Sequence, residues 1–479
     1  MTQGANKFAA FPCDALNHVV FSAIPNLILH SFFITLEILM HILMDRTERR
    51  MNMIIHVVQP GETIYSIASQ YNISPQKIII DNELKKSNVL VPGQTLVILI
   101  PETIHVVQPG ETLAGIARQY NTTTVNLLQL NPFIEYADQI MPGDQITISN
   151  SAEKRGLIYT LGYTYPNIDR TVLMKTLPYL TYLTIFTYGI TEQGELIGIE
   201  DEELIRMARD FGVAPLMLIS TLTEEGTFSN ELAHVILNDP VVQNNLIENV
   251  LETLRQKGYY GLDIDFEYVL PEDEEAFINF IQNVHDRISP EGYTLFTALA
   301  PKTSANQPGL LYEAHNYPRI GEASDRVLLM TYEWGYTYGP PMAVSPVNKV
   351  REVLDYAVTE IPREMIYMGI PNYGYDFILP YVQGVSRADS VSNVEAVELA
   401  AEVGAYIQYD EVSQAPYFIY YDQQGRQHRV WFEDARSIMA KLNLFSEYGF
   451  EGVGYWNIMR YFPQNWLLVS NLYDIARLI

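Results

Sequence analysis

The stretch Gly261-Leu262-Asp263-Ile264-Asp265-Phe266-Glu267-Tyr268 places acidic and apolar residues in alternation. Successive side chains of a β-strand point to opposite faces, so Asp263, Asp265 and Glu267 share one face, roughly 7 Å between neighbours. Leu262, Ile264 and Phe266 occupy the other face and suit an apolar core. Burying three carboxyl groups side by side costs several kcal/mol each unless they are paired or share protons. A sequence shaped by stability alone would not place them there. The alternative is a solvated edge strand with an acidic outer face. The preceding Gly258-Tyr259-Tyr260-Gly261 and the following Val269 favour a strand entering a core.

Around this strand the chain alternates between strand-like and helical patterns. Strand-like runs fall at 157–163, 182–188, 215–221, 261–268, 294–299, 327–332, 365–373 and 452–456, with helical runs such as 200–211 and 240–257 between them. That succession predicts an α/β fold, a (β/α)8 TIM barrel over 156–479. Enzymes of this fold work at the C-terminal ends of the strands, and the three acids close the fourth. A chain of 479 residues holds one barrel of about 300 residues and smaller modules.

D-x-D-x-E at the end of a strand resembles the signature of glycoside hydrolase family 18, the chitinase-like (β/α)8 barrels. The resemblance implies that Glu267 is the general acid and later the base. It implies that Asp265 holds the substrate's acetamido N–H and that Asp263 shares a proton with Asp265. The family pattern has one more Asp three residues before the first of the trio; here that position is Tyr260. Leu329-Met330-Thr331-Tyr332-Glu333 resembles the sixth-strand M-x-Y-D/E motif, which gives Tyr332 the N-acetyl oxygen and brings Glu333 to the substrate. Gly452-Val453-Gly454-Tyr455-Trp456 resembles the eighth-strand G-x-x-x-W, which makes Trp456 the apolar floor under the reacting sugar. A core tyrosine and a core tryptophan are the plain alternatives. Residues 380–430 resemble the small α+β insertion of many family members, with Tyr417, Tyr420, Tyr421 and Trp431 as candidate stacking residues.

Ahead of the barrel, His56-Val57-Val58-Gln59-Pro60-Gly61-Glu62-Thr63 recurs letter for letter from His105 to Thr112, 49 residues later. Each copy leads into two short helical patterns and closes on a Pro-Gly turn and a strand, Val91-Pro92-Gly93 and Met141-Pro142-Gly143. The βααβ pattern over 54–99 and 103–149 resembles LysM modules, which bind N-acetylglucosamine-containing glycans. In that family sugars lie between the first strand–helix loop and the second helix–strand loop. Carried over, these are Gly61, Glu62, Thr63 and Ile64 with Val89 and Leu90, and Gly110, Glu111, Thr112 and Leu113 with Gln139 and Ile140. Gly61 and Gly110 also suit a turn, and Thr63 and Thr112 a helix cap. Two modules in tandem raise avidity for a polymer and are expected to act as separable targeting units.

Bulk properties narrow the partners. With 30 Lys plus Arg against 57 Asp plus Glu, the formal charge is −27, which disfavours nucleic acid and anionic membranes. An anionic glycan is then expected to be held by stacking and hydrogen bonds. Cys13 is the one cysteine and excludes an intrachain disulfide. The nine histidines form no H-E-x-x-H, so neither metal nor cofactor is expected. Residues 1–52 are apolar over 18–44 but broken by Pro25, Asn26 and Glu37, without the pattern of a secretory signal. Met51 and Met53 stand directly before the first module, which suggests a start assigned too far upstream; a membrane anchor is the alternative.

Together these features resemble the LysM-containing spore cortex-fragment-lytic N-acetylglucosaminidases of bacilli. The resemblance implies a peptidoglycan hydrolase of the spore cortex or cell wall that retains configuration because the substrate's own acetamido group attacks. It also implies that muramic residues closed into lactams cannot assist the reaction. A chitinase with LysM targeting and a non-catalytic glycan-binding lectin remain as alternatives.

Overall fold

The computed structural model describes residues 53–85, 89–150, 152–223 and 226–479. The readings made for residues 1–52 lie outside the described residues. No helix among the described residues is long and apolar enough to cross a membrane.

Residues 53–150 form two small modules, each a two-stranded antiparallel sheet with two short helices. In the first, Met53–Val57 pairs with Thr95–Leu99 around helices Ile64–Tyr71 and Pro75–Asp81. In the second, Pro101–Val106 pairs with Gln145–Asn150 around Leu113–Gln119 and Thr124–Leu130. The two cores use equivalent residues of the repeat. Val58, Ile64, Ile67, Ala68 and Ile78 correspond to Val107, Leu113, Ile116, Ala117 and Leu127.

Eight parallel strands then build a barrel: Leu157–Thr164, Tyr182–Ile190, Ala214–Ser220, Gly261–Asp265, Thr294–Leu299, Arg326–Leu329, Ile366–Pro371 and Gly452–Trp456. Each pairs with its neighbour in sequence, and strand one also pairs with strand eight, which closes the ring. Outward residues such as Leu262, Ile264 and Phe266 pack against helix residues including Phe277 and Phe280. Inward residues Leu161, Tyr182, Leu216, Leu218, Phe296 and Tyr367 fill the lumen. Helix Pro240–Lys257 delivers strand four. Asp239 caps it by accepting the N–H groups of Val241 and Val242, and Gly258, at φ +72°, ends it just before Gly261.

Strands four, six and seven stop earlier than the sequence pattern implies, at Asp265, Leu329 and Pro371. The chain leaves the ladder there and turns at the barrel mouth. Tyr268 and Glu333 adopt left-handed φ values of 58° and 66°, unusual for residues with side chains. Strand seven runs on into an insertion that begins at Gly374, earlier than residue 380. Its antiparallel sheet contains Gly374–Leu379, Asp389–Val391, Gln408–Asp410, Ala415–Tyr421 and Gln427–Trp431, with helix Asn393–Val403.

The modules are fused to the barrel, unlike the separable units the repeat suggested. Strand Thr95–Leu99 is buried on both faces. Leu96 and Ile98 serve the module's own core, while Val97 and Leu99 belong to the core of the barrel. They meet helix Pro463–Leu472, which is buried along its whole length. A helix buried on every side needs cover on every side, and the module supplies one of them. Gln464 Nε2 donates to the Thr95 carbonyl at 2.6 Å and its Oε1 accepts from Thr95 Oγ1 at 2.9 Å. The second module is tied through Gln129 to the Pro178 carbonyl at 2.6 Å and through Asn150 to Asn471 at 2.8 Å.

Burying Val97 and Leu99 is worth about 1.5–3 kcal/mol each. A barrel truncated to residues 152–479 is therefore expected to melt several degrees below the full chain, while cleaving soluble oligosaccharide within a few-fold of its rate. Calorimetry of the two proteins checks this. Separate transitions for modules and barrel in the full chain would contradict a shared core.

Candidate active site

Strand four sends Asp263 and Asp265 into the barrel, and Glu267 follows on the same side as the chain enters the mouth. Asp263 is fully buried and Asp265 nearly so, whereas Glu267 is partly open. Tyr163, at the C-terminal end of strand one, donates its hydroxyl to Asp263 Oδ2 at 2.7 Å. The Oδ1 atoms of Asp263 and Asp265 are buried without a hydrogen-bond partner. Buried polar atoms are nearly always paired, so two orphaned oxygens in one site mark a place for a proton or a ligand donor.

The electrostatics follow from this burial. Loss of water pushes the Asp263 carboxyl up to about 7, with the Tyr163 hydrogen bond opposing. Asp265 lies well above the usual carboxylate range because it is buried and because Glu267 and Asp263 are both close. Burial, followed by the charge of Glu333, lifts Glu267 to about 7. Near neutral pH the group therefore holds fewer charges than carboxylates. Glu267 has no hydrogen-bond partner among the described residues, which leaves its proton free for a ligand.

Tyr332 stands just beyond strand six with its ring buried. Burial and the charges of Asp265 and Glu267 push its phenol well above the ordinary range, so it stays a donor. Its place depends on Gly369 of strand seven, where a Cβ would lie 2.7 Å from the Tyr332 ring and 2.6 Å from the Leu329 carbonyl oxygen. Glu333 faces the cleft and receives the hydroxyls of Tyr373 and Tyr375, the latter at 3.2 Å. Confinement in the cleft raises its pKa, and the two tyrosine hydrogen bonds oppose the rise.

Trp456 ends strand eight. Its ring packs at centroid distances of 5.7 Å from Tyr163, 6.2 Å from Tyr165 and 5.1 Å from Phe186, forming an aromatic floor. Beside it opens a cavity of about 500 Å³, lined by Tyr165, Glu333, Tyr373, Trp456, Asn457 and Arg460 among others. Asn372 Nδ2 pins the loop after strand eight by donating to the carbonyls of Asn457 at 3.0 Å and Arg460 at 2.7 Å.

The barrel mouth thus gathers Asp263, Asp265, Glu267, Tyr332, Glu333 and Trp456. Tyr260 lies elsewhere, packed on Tyr182 at 6.1 Å in the lumen. Of the insertion's aromatics, Trp431 packs in a cluster with Tyr332, Tyr373 and Tyr375, and Tyr417 lies against it, tilted by 31° at a centroid distance of 4.6 Å. Tyr420 is engaged with Asp376 and His428 inside the insertion, and Tyr421 faces solvent. Sequence reasoning missed Tyr163, Gly369, Asn372, Tyr373 and Tyr375. Tyr163 and Tyr373 both stood at the C-terminal end of a strand-like run, which was the available signal.

The module residues lie apart from this site. Thr63 and Thr112 cap the first helix of each module, accepting from Ser66 N and Gly115 N at 3.1 Å. Gly61 and Gly110 turn at φ +86° and +85°. Glu62 and Glu111 brace the same turns, accepting from Gln59 N and Gln108 N at 2.7 Å and meeting His56 and His105. All four cap and turn residues remain exposed.

Comparison with known proteins agrees with this geometry. Residues 165–460 match the model of glycosyl hydrolases family 18, and residues 56–99 and 105–149 each match the LysM domain. The chain is 42% identical over 432 residues to the cortical fragment-lytic enzyme of Bacillus subtilis, covering 88% of this chain and 99% of that one. It is 40% identical to the corresponding enzyme of Bacillus anthracis over 430 residues, with the same coverage of each chain. The crystal structure of the Bacillus cereus spore cortex-lytic enzyme SleL superposes with a TM-score of 0.76 at 40% identity, over 89% of this chain and 99% of that one. The chain is a glycoside hydrolase and belongs to glycosyl hydrolases family 18, with two LysM domains ahead of its catalytic barrel.

Proposed function

We propose that the chain hydrolyses spore cortex peptidoglycan as an N-acetylglucosaminidase, working at the cortex or cell wall and held there by its LysM domains. The cortex-lytic relatives support the substrate. The observation that carries the chemistry is the pair of orphaned carboxylate oxygens beside Glu267, which has no hydrogen-bond partner among the described residues and whose carboxyl burial lifts to about 7.

In this reading the N-acetylglucosamine sits on Trp456. Its acetamido N–H bonds to Asp265, whose buried Oδ1 lacks a donor, and Tyr332 donates to the acetamido oxygen. Glu267 gives its proton to the glycosidic oxygen while the acetamido oxygen attacks the anomeric carbon. The bond to the leaving sugar breaks and a cyclic oxazolinium ion forms. Asp265 and Asp263 hold one proton between them, so the pair supplies one negative charge against that cation. Glu267, now ionised, takes a proton from water, which attacks the same carbon from the side the leaving sugar vacated. Configuration is retained, and no carboxylate becomes bonded to sugar. Gly61, Thr63, Gly110 and Thr112 then contact glycan chiefly through the turn backbone, because the threonine oxygens already cap helices.

Glu267→Gln keeps the shape of the side chain but has no acidic proton. Turnover is expected to fall about a hundred- to ten-thousandfold with glycan affinity nearly unchanged. In the wild type kcat/KM should decline as pH rises through about 7, where Glu267 loses its proton. Retention of a tenth of normal turnover by the variant would remove Glu267 from this role.

An N-acetylglucosamine thiazoline imitates the cyclic intermediate and should inhibit competitively, more tightly than substrate binds. A substrate with a free amine at the cleaved sugar should not be hydrolysed. A trapped sugar–carboxylate adduct would speak against the scheme. Mass analysis of products from cortex fragments and chitin oligomers tests the choice of polymer.

The acids also carry a stability cost with a definite sign. Asp263 has a folded-state pKa of about 7, above the ordinary carboxylate value near 4. The folded chain thus holds a proton that the unfolded chain releases. The associated stability is full below pH about 4 and is lost as pH rises through about 7. Asp263→Asn keeps an acceptor for Tyr163 and removes this loss. Its melting temperature should exceed the wild type's by a few degrees at pH 8, with the difference shrinking towards pH 4.

A further inference from the structure

We propose that Arg460 is a specificity-determining residue that binds the carboxylate of a muramic-type sugar lying beside the sugar being cleaved. The inference rests on the peptidoglycan reading above and names the part of the site that separates this polymer from chitin. Chitin is a neutral chain of N-acetylglucosamine. In peptidoglycan every second sugar carries a lactyl ether whose carboxyl is free or extended by a peptide that itself ends in a carboxylate.

Four observations place a carboxylate receptor at Arg460. The residue follows strand eight by a short loop and lines the cavity that also exposes Trp456 and Glu333. It is the one cation among the residues lining that cavity, in a chain of formal charge −27. Its side chain is exposed and forms no direct salt bridge among the described residues; Glu395 feels its charge without touching it, and its hydrogen bond is a long one of 3.4 Å to Ser390 Oγ. Arg255, Arg287 and Arg351 on the barrel's surface are spent on Glu291, Glu248 and Glu447, and the exposed Arg206 and Arg363, which form no salt bridge among the described residues, do not line this cavity. Finally, its backbone is fixed. Asn372 Nδ2 holds the Arg460 carbonyl at 2.7 Å and the Asn457 carbonyl at 3.0 Å, tying the guanidinium's origin to the wall that carries Trp456.

A guanidinium matches a carboxylate with two parallel N–H···O bonds, and in an acidic protein it offsets the repulsion an anionic sugar otherwise meets. This amends the expectation that an anionic glycan is held by stacking and hydrogen bonds alone. A muramic residue closed into a lactam has no carboxylate and gains nothing from Arg460.

The test measures kcat/KM for the wild type, Arg460→Gln and Arg460→Lys on three tetrasaccharides. These are a peptidoglycan fragment with free carboxyl groups, the same fragment after its carboxyl groups are reduced to alcohols, and a chitin oligomer. Arg460→Gln is expected to lose about tenfold or more on the anionic fragment and no more than about twofold on the other two. Arg460→Lys should fall between, and added salt should slow the wild type on the anionic fragment alone. Equal kcat/KM for wild type and Arg460→Gln on the anionic fragment overturns the proposal, as does an equal loss on all three substrates. A wild-type enzyme that cleaves the chitin oligomer but not the anionic fragment overturns the peptidoglycan reading itself, and this proposal with it.

Discussion

Two carboxyl groups buried on the inner face of one barrel strand, with a third just beyond it at the mouth, cannot all be ionised. That constraint organises the mouth of this protein. Asp263 is fully buried with one tyrosine donor, so it holds a proton to a pH at which a free aspartate has long lost it. Asp265 lies between two acids and is held well above the usual carboxylate range. Glu267, at the rim, receives the remaining pressure from burial and from Glu333 and becomes an acid of nearly neutral pKa. An acid of that strength is what a glycosidic oxygen needs near neutral pH. Tyr332, Tyr163 and Trp456 shape the space around these carboxyl groups.

The scaffold accepts these charges because its two apolar layers are continuous. Phe266 stacks on Phe277 and Phe280 directly behind the acids, so the strand is held from outside while its inner face is polar. The left-handed turns at Tyr268 and Glu333 come immediately after Glu267 and Tyr332. Each costs on the order of 1–3 kcal/mol, and the packing of the adjoining strands has to hold it. The insertion adds Trp431 and Tyr375 on one side of the cleft.

Much of this was legible in the residues themselves. The acid alternation at 263, 265 and 267, the repeated octapeptide and the tryptophan closing the last strand are local patterns, and local patterns survive in one dimension. What escaped were relations between distant positions. The Tyr163–Asp263 bond joins residues 100 apart, and the need for glycine at 369 exists only because Tyr332 lies against it. Strand ends were misjudged for the same reason, since a ladder stops where its neighbours stop. The fusion of the first module to the barrel did leave a trace. Leu96-Val97-Ile98-Leu99 has no polar alternate, whereas Gln145-Ile146-Thr147-Ile148-Ser149 in the second module keeps one. Continuous apolarity signals a strand covered twice, but it does not say by what.

The helix from Pro463 to Leu472 gives the molecule a particular history. Val97 and Leu99 leave the ribosome more than 350 residues ahead of the helix that covers them. Until that helix emerges, the first module exposes a greasy face, and the Thr95–Gln464 bond that helps to seal it spans 369 residues. Assembly is therefore closed by a distant, later-made element. A chain cut short before that helix keeps both its modules and most of its barrel, yet offers chaperones and proteases an uncovered seam. Helix Pro463–Leu472 is thus read by whether the face that residues 95–99 present has been sealed.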